Sequence, residues 1–177
     1  MARVLLVIAK QGFRDEELFD TKAELEHAGH TCTIASTTVG TCHGSRGRLA
    51  HATVALGDVE ARDFDAVAFV GGPGASTLFD DEDALHIARA MHEQRKNVAA
   101  ICVAPMILAN AGLLEGRRAT VFESEIDGIE AAGAKYRGPG VVVDGNVVTA
   151  SGPDRAREFG RTLATALGLE RAARIHS

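Results

Sequence analysis

The chain has 177 residues, 46% of them apolar and 24% charged, which fits one globular domain over residues 1–177 and excludes a disordered chain. Nineteen Lys and Arg against 24 Asp and Glu leave a net charge of −5, and with one Tyr and no Trp the basic footprint of a nucleic-acid binder is missing. Three cysteines make no disulfide framework, the opening MARVLLVIAKQ does not read as a signal peptide, and no segment approaches the ~20 apolar residues that span a bilayer, so a cytoplasmic protein without membrane contact is expected.

The continuous apolar run from Arg3 to Ile8 reads as a buried strand. Asp15-Glu16-Glu17-Leu18 then opens a helical pattern that Gly29 ends, with its acidic first turn suited to the positive end of the helix dipole. Thr31 to Ser36 is a second strand, and this β–α–β opening points to an α/β sheet with parallel neighbours. Over residues 37–65 two short strands are expected, around Val39 and over Ala52–Leu56. Asp65 to Val70 is a buried strand stopped by Gly71-Gly72-Pro73-Gly74, and Asp83 to Gln94 is an amphipathic helix. A short strand over Val98–Ile101, a helix over Ala104–Ala111 and a short helix over Ile126–Ala132 follow. Asp144-Gly145-Asn146 reads as the turn of a hairpin, and Arg155 to Leu167 is the closing helix.

The string Val98-Ala99-Ala100-Ile101-Cys102-Val103-Ala104-Pro105 carries the most chemical information. A strand ends at Ile101 and a helix begins one or two residues later, which leaves Cys102 in a sharp, strained joint. Its neighbours two residues away on each side, Ala100 and Ala104, are small, as the steric logic of a nucleophile elbow demands. A sulfur at a helix N-terminus is favoured as thiolate, and such cysteines fall from ~8.5 to roughly 3.5–7.5. The strand ending at Val70 reaches the same sheet edge, so the backbone N–H groups of Gly72 and Val103 make a candidate oxyanion hole. Cys32 and Cys42 read as core, and Cys42 beside His43 makes a poor chelate. Met91 and Met106 read as core as well. Gly71-Gly72-Pro73-Gly74 lacks dinucleotide-fingerprint spacing, and no P-loop or zinc spacing occurs, so neither cofactor nor metal is expected.

The elbow segment AAICVAPMILANAGLLEGRRAT is similar to that of the ThiJ/PfpI superfamily, which includes the Parkinsonism-associated deglycase and the bacterial intracellular-protease proteins. The resemblance extends to VLLVIA, GFRDEEL, HAGHTCTIAS, Ser45-Arg46-Gly47, VGGPGA and VVVDGNVVTASGP, nearly the whole chain. It implies a flavodoxin-like, doubly wound, mostly parallel sheet with helices on both faces, and a homodimer. It also implies that Glu17 hydrogen-bonds the sulfur of Cys102 and that Arg46 lies near the site and the dimer contact. Two departures matter. Val103 stands where the protease-like and glyoxalase-like branches carry His after the cysteine, and Phe122 stands where the human-deglycase branch has its His. A base would have to come from His43 or His51.

A Cys102–Glu17 site without His suits attack on small reactive carbonyls, of glyoxalase or deglycase type, better than peptide hydrolysis. The alternatives are a redox sensor or chaperone whose Cys102 is oxidised by peroxide, and an intracellular cysteine peptidase.

Overall fold

A computed structural model describes residues 1–176, with side chains through Leu169. The strands and helices follow in chain order: β1 (Arg3–Val7), β2 (Gln11–Phe13), α1 (Asp15–His27), β3 (Thr31–Ser36), β4 (Gly40–Gly44), β5 (Leu49–Ala52), β6 (Val54–Ala55), β7 (Ala66–Phe69), α2 (Glu82–Glu93), β8 (Asn97–Ile101), α3 (Pro105–Asn110), β9 (Arg118–Ala119), α4 (Ile126–Ala131), β10 (Lys135–Tyr136), β11 (Val141–Asp144), β12 (Val147–Ala150) and α5 (Ala156–His176).

Seven strands form the main sheet in the order β11-β12-β8-β7-β1-β3-β6, parallel throughout except for the antiparallel β11–β12 hairpin at one edge. Its central five, β3-β1-β7-β8-β12, follow the flavodoxin-like 2-1-3-4-5 order. Because helices cover both faces, side chains of either parity along a strand are buried. Leu5 and Val7 of β1 pack with Ile87, Met91, Ile107 and Leu108 on the α2/α3 face. Val4 and Leu6 pack with Leu18, Leu25, Phe159 and Leu163 on the α1/α5 face. This two-faced burial is why β1, β7 and β8 read as uninterrupted apolar runs. The chain turns back between β1 and β7, and their carboxyl ends open at the edge where β8 also ends.

Three expectations change. Between residues 37 and 65 the chain makes a hairpin of β4 and β5, which joins β2 in a separate three-stranded sheet, before the short β6. The strand expected around Val39 begins at Gly40, because Thr37 to Val39 form the bend that leads into it. The closing helix extends beyond Leu167 to His176, since nothing in Gly168-Leu169-Glu170-Arg171 stops a helix. Met91 is fully buried, and Met106 packs partly buried against the same core.

Candidate active site

The elbow at the end of β8 has the form its sequence dictates. Cys102 has φ of 64°, a left-handed conformation that side-chain-bearing residues adopt only under constraint. The constraint is visible in the backbone. The Cys102 N–H donates to the Ala150 carbonyl at 2.8 Å, and its carbonyl accepts from the Phe122 N–H at 2.7 Å. Ala100 and Ala104 are fully buried on either side, which leaves no room for larger residues. Pro105 starts α3, where no amide proton is needed.

Glu17 reaches the same place from the first turn of α1. It is completely buried, and its Oε1 accepts the Gly71 N–H at 2.8 Å. Its second oxygen, Oε2, is buried with no partner in full hydrogen-bond geometry, although the carboxyl neighbours the Cys102 thiol closely enough for each to act on the other. The contact therefore couples two titrations without being an aligned hydrogen bond in the resting molecule. Gly71 sits between the two groups, and a Cβ there would lie 2.6 Å from Glu17 Oε1 and 2.8 Å from Cys102 Cβ. Gly72 follows with φ of 114°, and its backbone packs onto Arg14 and Gly12.

Burial raises the Glu17 carboxyl to about 8, against smaller downward pulls from Cys102, the Gly71 N–H and Arg14. Burial also pushes the Cys102 thiol up, and an ionised Glu17 pushes it further, while the N–H groups of Val103 and Gly72 pull it down. The lowering expected from the elbow is outweighed by desolvation, which a sequence does not register, so the net shift of the thiol is upward, and α3 is too short to add much dipole. The push from Glu17 exists only while Glu17 is charged. A Glu17 that keeps its proton removes that push, so ionisation of the Cys102 thiol is coupled to the protonation of Glu17. Cys32, partly buried in β3, is raised to about 12 by burial, and Cys42 is buried in β4.

A cleft of about 240 Å³ opens over the thiol. Glu17, Cys102 and Arg14 are its ionisable groups, and Gly72, Pro73, Val103, Phe122 and Pro153 form the rest of its wall. The structure thus brings Cys102, Glu17, Gly72 and Val103 together. It does not bring Arg46, which is exposed on the turn between β4 and β5 and donates its backbone N–H to Asp15 at 2.9 Å. His43 and His51 are exposed on β4 and β5, away from the cleft, and His43 instead pairs with Gln11 at 3.1 Å. The His176 side chain lies outside the described residues. Phe122 occupies the wall. Among the described residues no cluster of His, Cys, Asp or Glu could hold a metal ion. Arg14 and Gly71 were not expected here. The only signal for Gly71 was its place at the end of a buried strand beside a second glycine.

The model of the DJ-1/PfpI family matches residues 2–166. An uncharacterized protein of Methanocaldococcus jannaschii is 42% identical over 162 residues, 90% of this chain and 79% of that protein. A deglycase of Thermococcus kodakarensis is 34% identical over 149 residues, covering 84% of this chain and 90% of its own. A ThiJ/PfpI domain protein from Brachyspira murdochii superposes with a TM-score of 0.92 at 35% identity, over 94% of this chain and 96% of that one. Fold, elbow and sequence agree, and the chain belongs to the DJ-1/PfpI family.

Proposed function

We propose that this protein is a cofactor-free cysteine enzyme acting on small reactive carbonyls, through chemistry of the glyoxalase or deglycase type. The observation that carries the reading is the buried Glu17, raised to about 8, against the thiol of a strained elbow. A proton carrier whose affinity sits near neutral pH is what carbonyl rearrangement needs.

For a 2-oxoaldehyde the steps balance without a redox partner. The Cys102 thiol, held up by burial, first gives its proton to solvent; the thiolate so formed adds to the aldehyde carbon, and Glu17 gives its own proton to the oxygen that becomes a hydroxyl. The Glu17 carboxylate then takes the hydrogen from that carbon, the enediol shifts a proton between its oxygens, and Glu17 returns the hydrogen to the neighbouring carbon. The product is a 2-hydroxy thioester on Cys102. Water, deprotonated by Glu17, cleaves it to the 2-hydroxy acid and restores the thiolate and the neutral carboxyl. The N–H groups of Val103 and Gly72 stabilise the oxygen that gains charge. A deglycase reaction would use the same addition on a carbonyl adduct of an amine, with the C–N bond breaking as the amine departs.

The named deglycase relative supports this class. A peptidase would need an imidazole beside the sulfur to protonate its leaving amine, and Phe122 lines the wall instead. The test is lactate formation from methylglyoxal without glutathione. Wild-type protein should form it and Cys102→Ala should not; equal rates in the two would overturn the reading.

A further inference from the structure

We infer that Arg14 is the specificity residue of the cleft, and that the carbonyl compound taken by Cys102 carries an anionic group, a carboxylate or a phosphate. The inference rests on the carbonyl reading above and adds to it the class of substrate.

Arg14 precedes α1, and its backbone N–H donates to the Gly71 carbonyl at 2.9 Å, so its Cα is fixed to the strand end beside the site. Its Nε is held by Glu16 Oε2, which sets the plane of the guanidinium. Among the described residues neither terminal nitrogen has an acceptor, and the side chain remains 27% exposed. Arg14 lines the cleft, and its guanidinium is near enough for its charge to act on both Glu17 and Cys102.

Consider what such a cleft would admit. Its other walls are Gly72, Pro73, Val103, Phe122 and Pro153, none with a charged side chain. Glu17 is neutral when it holds its proton, so Arg14 is the one cation among the lining residues. A planar fork with two free nitrogens matches the two oxygens of a carboxylate, or two of a phosphate. The ligand chemistry is then a short carbon chain against Phe122, a carbonyl at the sulfur and an anion at Arg14.

The test separates this inference from the reading on which it rests. Iodoacetate and iodoacetamide alkylate the same thiolate, so the ratio of their rates at Cys102 cancels any change in thiol ionisation and reports only the anion. Arg14→Gln should lower the ratio of iodoacetate to iodoacetamide roughly tenfold, and Arg14→Lys should restore part of it by returning the charge without the fork. Should the variants fold poorly, wild-type protein supplies a second measurement, in which propionate slows iodoacetamide alkylation of Cys102 and propionamide does not. In turnover, 4,5-dioxopentanoate should exceed its uncharged counterpart 2-oxopentanal in kcat/KM, and phosphate in place of propionate tells a phosphate-bearing ligand from a carboxylate. An alkylation ratio unchanged in Arg14→Gln, or equal protection by propionate and propionamide, overturns the inference even if 2-oxoaldehydes are consumed. An Arg14-dependent ratio without 2-oxoaldehyde turnover sustains the anion site and removes the carbonyl reading instead.

Discussion

Glu17 occupies a helix first turn, where a carboxylate is ordinarily stabilised by the dipole, yet the surrounding core holds it neutral. The three acids of that turn do three things. Asp15 is buried and accepts the backbone N–H groups of Arg46 and Arg48, Glu16 holds Arg14, and Glu17 meets the sulfur. From the sequence the three are equivalent, and it is the resemblance alone that singles out Glu17. Arg14 was not legible, because its value depends on a cleft closed by residues more than fifty positions away. If Glu17 carries the proton, Glu17→Gln should lower kcat for 2-oxoaldehydes by roughly 10²-fold or more, with a smaller change in KM, in steady-state assays. The strain at Cys102 gives a separate expectation. Cys102→Gly should be more stable than Cys102→Ala by about 1 kcal/mol in denaturant unfolding, because glycine accepts φ of 64° without the Cβ penalty.

The joints between elements are where the site is assembled. The turn after β7 lies under β2 so closely that a Cβ on Gly74 would stand 1.7 Å from the Gln11 carbonyl oxygen. Gly74→Ala should therefore destabilise the fold by roughly 3 kcal/mol or more, read as a shift in denaturant midpoint. Gly71→Ala should cost roughly 1–3 kcal/mol and also part Glu17 from Cys102, so thiol reactivity should change along with stability. The buried parallel strands and the elbow were legible because continuous apolar runs, small flanking residues and a proline at the helix start are local signals. The β4–β5 hairpin was blurred because Gly40-Thr41-Cys42-His43-Gly44 carries one buried side chain, Cys42, and little β-branched pattern. β2, β9 and β10 are two or three residues long and owe their pairing to tertiary neighbours.

At the scale of the molecule, the doubly wound sheet brings three distant segments, residues 14–17, 71–72 and 102–103, to one edge. It also links the site to global stability. Unfolded, Glu17 ionises near 4.5; folded, burial keeps it neutral until about 8. Between those values the folded protein binds more protons, so the contribution of Glu17 is full below 4.5 and is lost as pH rises through about 8. Glu17→Gln should remove that slope and gain on the wild type across the same range, by on the order of a few kcal/mol at its upper end, in denaturant unfolding followed against pH. Parallel profiles would contradict the burial argument. The most direct test looks at the carboxyl itself, by infrared difference spectroscopy between wild type and Glu17→Gln. The account predicts a protonated-carboxyl band in the wild type that persists well above pH 4.5, fades near pH 8 and shifts when Cys102 is alkylated. A band lost by the ordinary carboxyl titration near 4.5, and indifferent to the state of Cys102, would contradict it.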